Sequence, residues 1–185
     1  MPVTDAIIDR LCTACGLCCN GVLFTSVVCS TAAEARRMEA LGQPLDRSGG
    51  LCSFTQPCRQ LRDTRCGIYA DRPTRCRRFE CELLKRVDRG EVSATAAAGC
   101  IDSVRLRSEI VRSLLRGLGD EDESRPLATR CDRVMELPVE KDEEWWDTYA
   151  TFLLEVRALQ SLLKAHFYEA TVATLAVDKP DTPVA

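Results

Sequence analysis

Histidine is nearly absent from this sequence: the 185 residues include a single histidine, His166, against 12 cysteines. We therefore do not expect zinc patterns that combine cysteine with histidine, or Rieske-type iron–sulfur centres with two histidine ligands. His166 lies far from most of the cysteines in the sequence. We interpret it as a residue on a helix surface rather than a catalyst.

Long apolar runs and a strong net charge are missing as well. No run of about 18 apolar residues occurs, which excludes a transmembrane helix, and we expect no membrane partner. The formal net charge is only -3, so no global field attracts nucleic acid, and we expect no nucleic-acid partner. The sequence leaves an unknown protein partner open.

Signals for secretion and for common catalytic sites are also lacking. Residues 1–10 contain no basic region followed by an apolar stretch, so we expect a cytoplasmic location. In such a reducing compartment, closely spaced cysteines are more often metal ligands or redox groups than disulfides. Glycine-rich phosphate loops, HExxH and the nucleophile elbow are absent. We predict no catalytic residue, and whether the protein is an enzyme stays open.

The cysteines are concentrated in the first half of the chain, where core-forming residues are scarce. Ten of them lie within residues 12–81, which contain only 15 Leu, Ile, Val, Met, Phe, Tyr and Trp residues. Domains with so few large apolar side chains usually depend on a disulfide, a metal or a partner. We therefore predict a cysteine-rich metal-binding module over residues 1–92. A helical region follows over residues 93–185, with a flexible acidic loop near residues 119–130.

The local patterns favour helices. Thr31 and Glu34 form a capping box at the start of a helix that ends near Gly42. Pro73 is placed to begin another, which is expected to continue to Gly90. Residues 21–29 are β-branched and apolar, and predict a short strand.

Two longer helices are predicted in the second half of the chain. Residues 93–118 are rich in alanine and leucine. Residues 145–167 repeat apolar side chains at steps of three and four, which indicates an amphipathic helix packed on a core. The predicted fold class is mainly α: an irregular cysteine-rich, metal-stapled N-terminal module with short strands, packed on C-terminal helices.

The strongest functional signal is the run Cys12-Thr-Ala-Cys15-Gly-Leu-Cys18-Cys19. Cys-x2-Cys spacing lets two thiolates bind one metal, because a tight turn brings both sulfurs to the same side. A third cysteine at the same interval is found around iron–sulfur clusters, and a fourth ligand must come from elsewhere. Because neighbouring side chains diverge, we expect Cys18 and Cys19 to serve different roles or different metals.

A second group of cysteines follows in a basic segment. Cys76 and Cys81 are expected on the first turns of the helix that begins at Pro73, where the helix dipole stabilises thiolates. Residues 58–89 contain ten Lys or Arg against five Asp or Glu. This excess is consistent with charge compensation for thiolates, with an ordinary solvated face, or with a nucleic-acid surface. The sequence leaves all three open.

Two motifs together resemble a known family. The first is the run of residues 12–19, and the second is Cys66-Gly-Ile-Tyr69-x2-Arg72-Pro73-x2-Cys76-Arg77-x-Phe79. The pair is similar to the CxxCxxCC, or YkgJ-like, cysteine-cluster proteins, which are described as zinc- or iron-chelating, over roughly residues 11–84. The resemblance implies that eight cysteines, which match the family pattern, ligate metal: Cys12, Cys15, Cys18, Cys19, Cys58, Cys66, Cys76 and Cys81. Only part of the family shares Cys81.

The predicted cofactor is an iron–sulfur cluster of the 4Fe–4S type, because the ferredoxin-like interval favours it. Its role would be redox, structural or metal-handling. The alternative is a structural zinc module with four thiolates that mediates protein or nucleic-acid interaction. Eight cysteines supply two four-thiolate sites, or one cluster with spare thiols. Cys100 and Cys131 are interpreted as lone thiols that take no part.

Overall fold

The computed structural model describes residues 3–137 and 142–168. Within these ranges the fold is mainly helical, which confirms the predicted class, with two antiparallel pairs of short strands. The elements in chain order are α1 Val3–Cys15, β1 Ser26–Val28, α2 Ala32–Ala40, β2 Ser53–Thr55, β3 Leu61–Arg62, β4 Arg65–Cys66, α3 Thr74–Arg78, α4 Glu82–Asp88, α5 Ala94–Gly117, α6 Leu127–Met135 and α7 Glu143–His166. No helix in the described ranges is long and apolar enough to cross a bilayer.

The ends of the predicted helices are fixed by the expected caps. Thr31 Oγ1 accepts a hydrogen bond from the amide of Glu34 at 3.2 Å, and the Glu34 carboxylate accepts one from the amide of Ser30 at 2.8 Å. Ser93 and Asp142 cap α5 and α7 in the same way. The predicted cap at Thr31 and both long helices are therefore confirmed, whereas the Glu34 carboxylate accepts from the amide of Ser30 rather than from that of Thr31.

Glu34 also connects α2 to α3. The amide and the hydroxyl of Thr74 donate to Glu34 Oε1 at 2.8 and 2.5 Å. Burial opposes ionisation of this carboxyl, but hydrogen bonds from Thr74 and Ser30 outweigh it and hold the pKa below the ordinary value of 4.5. One carboxylate therefore holds together the N-termini of two helices, the second of which carries Cys76.

We expect Glu34→Gln to lower the free energy of unfolding at neutral pH by about 1 kcal/mol, because the charged acceptor is lost. Since the folded-state pKa of Glu34 lies below its unfolded value, its contribution is present above pH 4.5 and disappears as the pH falls through the folded-state pKa. Urea unfolding of both proteins at a series of pH values checks this. A stability difference that does not shrink in acid, or an equal effect of the exposed control Glu39→Gln, would contradict the assignment.

The single helix predicted from Pro73 to Gly90 is wrong: the structure has two helices, α3 and α4, with extended backbone between them. Phe79 lies in the break with φ -76° and ψ 124°. Its ring packs edge-on against Phe24 at a centroid distance of 4.7 Å. That packing turns the chain out of the helical path, and Cys81 becomes the N-cap of α4 instead of a first-turn residue.

The main core lies between α5 and α7 and extends into the cysteine-rich part of the chain. Its buried side chains come from both sides of the predicted boundary at residue 92. The predicted apolar face of α7 is buried there, as expected for core packing. Representative members are Leu17, Leu83, Val104, Val111, Leu115, Phe152 and Leu163.

A smaller core lies beneath the strands β1 and β2. These strands pair with Val27 opposite Phe54, and both side chains are buried together with Met38 of α2. Two cysteines, Cys29 and Cys58, belong to the same cluster. Thiols therefore replace part of the aliphatic packing that the sequence lacks here.

The predicted flexible loop near residues 119–130 is only partly a loop. Coil and turns extend to Pro126, and α6 begins at Leu127. Asp120 is 6% exposed and accepts a hydrogen bond from Nε of Arg130, itself 1% exposed, at 2.8 Å. Because a buried ion pair fixes both ends of the segment, the prediction of an exposed acidic loop is wrong for Asp120.

We expect Asp120→Ala to lower the free energy of unfolding by about 3–5 kcal/mol, because the Arg130 charge would stay buried without its partner. Chemical denaturation followed by circular dichroism measures this. The control is Glu123→Ala, which removes an exposed ion pair with Arg116 and should cost less than about 1 kcal/mol. Equal costs in the two variants would rule out a structural role for the buried pair.

Candidate metal centre

The first four cysteines of the motif lie at the end of α1 and in the turn that follows it. Cys12 and Cys15 are one turn apart on the same face of the helix. Gly16 then adopts φ +72°, and a Cβ atom there would come within 2.6 Å of the carbonyl oxygen of Thr64. The position therefore accepts only glycine, both for its backbone conformation and for the close approach of the β3–β4 turn.

A compact turn after Gly16 presents the adjacent pair Cys18 and Cys19. The amides of Cys19 and Asn20 donate to the carbonyl of Gly16 at 2.9 and 3.0 Å. The carbonyl of Cys19 in turn accepts a hydrogen bond from the amide of Cys58 at 2.8 Å. The turn is thereby tied to the second cysteine-bearing segment.

Of the other four predicted ligands, Cys58 lies in the loop between β2 and β3, and the remaining three come from separate elements. Cys66 lies in β4, whose hairpin packs against α1. Cys76 lies in α3, and Cys81 is the N-cap of α4, which also packs against α1. The chain therefore brings cysteines far apart in sequence to the C-terminal end of α1.

A cavity of about 550 Å³ lies where these elements meet. Seven of the eight predicted ligands line it, and the eighth, Cys58, is buried beside them in the smaller core. Gln56 is 2% exposed and also lines the cavity. Its Oε1 has no hydrogen-bond partner among the described residues. The seven cysteines at the cavity are Cys12, Cys15, Cys18, Cys19, Cys66, Cys76 and Cys81.

The first of two groups of thiols surrounds Cys18. Burial raises the pKa of this thiol well above its ordinary value, and the neighbouring charges of Cys15, Cys81 and Cys12 raise it further, followed by that of Cys76. Burial likewise raises the pKa of Cys15 to about 11, again with contributions from Cys81 and Cys12. Cys12 also raises the pKa of the buried Cys81 thiol. Each of the four therefore interacts with the other three, and we call them the first thiol group.

The second group surrounds Cys66. A hydrogen bond from the Cys19 thiol lowers the pKa of Cys66 to about 6, while the pKa of Cys19 is raised by the same contact and by burial. Burial raises the pKa of Cys58, and the charge of Cys66 raises it by a smaller amount. Burial, Cys58 and Cys66 raise that of Cys76 to about 12. Cys19, Cys58, Cys66 and Cys76 form the second thiol group.

Backbone amides point at four of these thiols. Each donor lies two or three residues after its cysteine, and each lowers the pKa of that thiol against the effect of burial. Hydrogen bonds of this kind favour the thiolate, which is the form that ligates a metal. The donors are Leu17 to Cys15, Gln60 to Cys58, Ile68 to Cys66, and Leu84 and Leu83 to Cys81.

Arg105 of α5 supports the first thiol group from outside the motif. Its Nη2 and Nε donate to the carbonyl of Cys15 at 2.6 and 3.1 Å, and Nη2 also binds the carbonyl of Ala14. A cation here complements the negative end of the α1 dipole. Its charge also opposes the burial-driven rise in the pKa of Cys15. Sequence reasoning missed Arg105, because its place in an ordinary helix gives no local signal.

Arg72 performs the corresponding role at the second thiol group. Its guanidinium lies 3.5 Å from the ring centroid of Tyr69, and its Nε donates to the carbonyl of that residue at 2.9 Å. Its charge lowers the pKa values of Cys66 and Cys76 against the effect of burial. A cation beside two thiols is what charge compensation of thiolates requires. The position of Arg72 therefore favours this interpretation of the basic segment over the other two.

The cysteine thiols are the donors that a thiolate-binding metal requires, but they do not surround the position of a single ion. Among the described residues, no three His, Cys, Asp or Glu side chains stand at a spacing that holds one metal ion. Seven soft sulfur donors nevertheless line one cavity, with Cys58 buried beside them, and the cavity wall holds Gln56, whose Oε1 has no partner among the described residues. Sulfur donors in this number match zinc or iron–sulfur chemistry.

The remaining cysteines lie outside both groups. Cys29 and Cys52 contact each other across β1 and β2. Cys131 is buried in α6. Cys100, predicted to be a lone thiol, faces Nδ1 of His166 at an Sγ–N distance of 3.9 Å. The sequence gives no signal for this last contact, because it joins residues near opposite ends of two antiparallel helices.

The fold and these residues define a helical protein with a multi-cysteine centre. Residues 11–100 match a family model, CxxCxxCC, with the description "Putative zinc- or iron-chelating domain". The match over these residues confirms the predicted resemblance to the CxxCxxCC proteins. No curated protein and no solved structure matches the chain.

Proposed function

We propose that this protein is a metal protein that holds an iron–sulfur cluster of the 4Fe–4S type on Cys12, Cys15, Cys18 and Cys81. The observation that carries the proposal is the mutual approach of these four thiols around one cavity of about 550 Å³. Three of them have the ferredoxin-like interval, and the fourth comes from a distant element.

The interval of the cysteines favours a cluster over a single ion in this group, because three thiols at Cys-x2-Cys-x2-Cys spacing are typical of iron–sulfur ligation. Among the described residues neither thiol group holds three candidate ligands at the spacing of a single ion. Binding of either metal would therefore require the thiols of that group to move together. A cubane of iron and sulfide requires a wider cage, which a cavity of this size supplies.

When bound, such a cluster supplies one-electron redox chemistry or organises the fold. The chain's own residues fix its surroundings. The last turn of α1 and the N-cap of α4 hold the thiols, while amides of Leu17 and Leu83 favour their ionised form. Arg105 supplies positive charge beside a group of thiolates. Such an oxygen-sensitive cofactor agrees with the cytoplasmic location that we propose for the protein.

For the second thiol group we propose a single structural ion, zinc, held by Cys19, Cys58, Cys66 and Cys76. The specific observation is the direct contact between the thiols of Cys19 and Cys66, which a cubane would separate. The low pKa of Cys66, about 6, also makes one thiolate available at neutral pH. Zinc bound by four thiolates would link the turn after α1 to β4 and α3, and so stabilise the smaller core.

The test is the absorption spectrum of the full chain purified without oxygen. We expect a brown protein with broad absorbance that bleaches on reduction, and loss of that absorbance in Cys81→Ser but not in Cys131→Ser. Cys81 is chosen because it is the one ligand of the first group outside the Cys-x2-Cys run. A colourless protein that retains zinc would refute the cluster and leave the zinc module as the function.

A further inference from the structure

One pair of cysteines belongs to neither thiol group, although it shares the smaller core with Cys58. Cys29 follows β1 directly and Cys52 precedes β2 directly. The register pairs Val28 with Ser53, so the next pair along the two strands is Cys29 with Cys52. The amide of Cys29 donates to the carbonyl of Cys52 at 2.8 Å, which shows that the pairing of the strands continues through them.

The backbone geometry at this pair suits a disulfide. The Cα atoms of directly opposed residues in antiparallel strands lie about 4.5–5.5 Å apart. A disulfide needs Cα atoms about 4.4–6.8 Å apart, with both side chains on the same side. Cys29 and Cys52 meet the second condition, because their thiols are in side-chain contact. Both also pack against the smaller core that contains Val27 and Phe54.

The two thiols differ in exposure. Cys29 is 7% exposed, whereas Cys52 is half-buried and follows Leu51, which is 45% exposed. A reagent from solution therefore reaches Cys52 first, and Cys29 is placed to react second.

We propose that Cys29 and Cys52 are a redox modification site, a dithiol that forms a reversible disulfide by exchange with a low-molecular-weight disulfide. This inference goes beyond the proposed function and does not depend on it. The Cys52 sulfur, after losing its proton to water, attacks one sulfur of the small disulfide and releases the other half as a thiolate. Cys29 then loses its proton and attacks the Cys52 sulfur, and the second half leaves.

The exchange is balanced in atoms and electrons. The protein dithiol loses two protons and two electrons, and the small disulfide takes them up to become two thiols. The new bond would link β1 to β2 at the wall of the cavity, where Val28 and Ser53 are lining residues. Oxidation at this place changes no atom of the two thiol groups assigned to metal.

The test treats the metal-loaded full chain with oxidised glutathione and measures intact mass, linked peptides and metal content in the same sample. We expect the loss of two hydrogens per chain, a linkage that fragmentation assigns to Cys29 and Cys52, and unchanged metal content. Dithiothreitol should restore the original mass.

Two serine variants separate the roles of the thiols. Cys29→Ser should keep one glutathione on Cys52, because the resolving thiol is missing, whereas Cys52→Ser should remain unmodified at Cys29. Wild-type protein that keeps both thiols, or a linkage that persists in both variants, would overturn the proposal. Because the mass and the metal are measured separately, loss of metal in untreated protein would refute the proposed function without affecting this result.

Discussion

Replacing Cys15 or Cys76 with serine is expected to remove metal and to destabilise the cysteine-rich half of the chain. Serine keeps the size of the side chain but is a poor ligand for soft metals. A structural metal contributes on the order of 10 kcal/mol to folding, so the expected loss of stability is large. Metal analysis and the thermal unfolding midpoint are measured for each variant.

The matched controls are Cys100→Ser and Cys131→Ser, since neither thiol lies at the cavity. Both controls should retain full metal content. Cys131→Ser places a hydroxyl in a buried site of α6 and is expected to cost only about 1–3 kcal/mol. Equal loss of metal in all four variants would mean that the ligand assignment is wrong.

Cys18→Ser and Cys19→Ser, although adjacent in sequence, should remove different metals. Cys18 interacts with Cys15 and Cys81, whereas Cys19 donates a hydrogen bond to the thiol of Cys66. We therefore expect Cys18→Ser to lose iron and visible absorbance while keeping zinc. Cys19→Ser should lose zinc while keeping iron.

Elemental analysis of the two variants beside the wild type measures this partition. Loss of both metals in each variant would show that the two groups form one interdependent site. Loss of the same single metal in both variants would show that the adjacent cysteines serve one site, contrary to the grouping derived from the structure.

The fold class and the main helices could be predicted from the sequence because their signals are local. The cap at Thr31 and the apolar repeat of α7 each specify their element within a few residues. The break between α3 and α4 could not be predicted, because it depends on the contact between Phe79 and the distant Phe24. Helix α1 was not predicted either, although Ile7, Ile8 and Leu11 pack on the main core at helical spacing.

For the candidate site, too, the choice of cysteines could be predicted from local spacing, whereas their grouping in space could not. The motif selects eight cysteines, and seven of them line one cavity; their role as ligands stays a prediction. That Cys18 and Cys19 serve different metals stays a prediction: the largest charge effect on Cys18 comes from Cys15, whereas Cys19 contacts the thiol of Cys66. The composition of the two groups, and the support from Arg105, depend on packing between α1, α4 and α5, which no spacing rule encodes.

The most direct measurement is the content of iron, labile sulfide and zinc per chain in protein purified without oxygen. The account predicts about four iron and about four sulfide atoms from the first thiol group, together with about one zinc ion from the second. Zinc alone, in a colourless protein, would contradict the cluster. A folded protein that contains no metal at all would contradict the central claim that these cysteines are ligands.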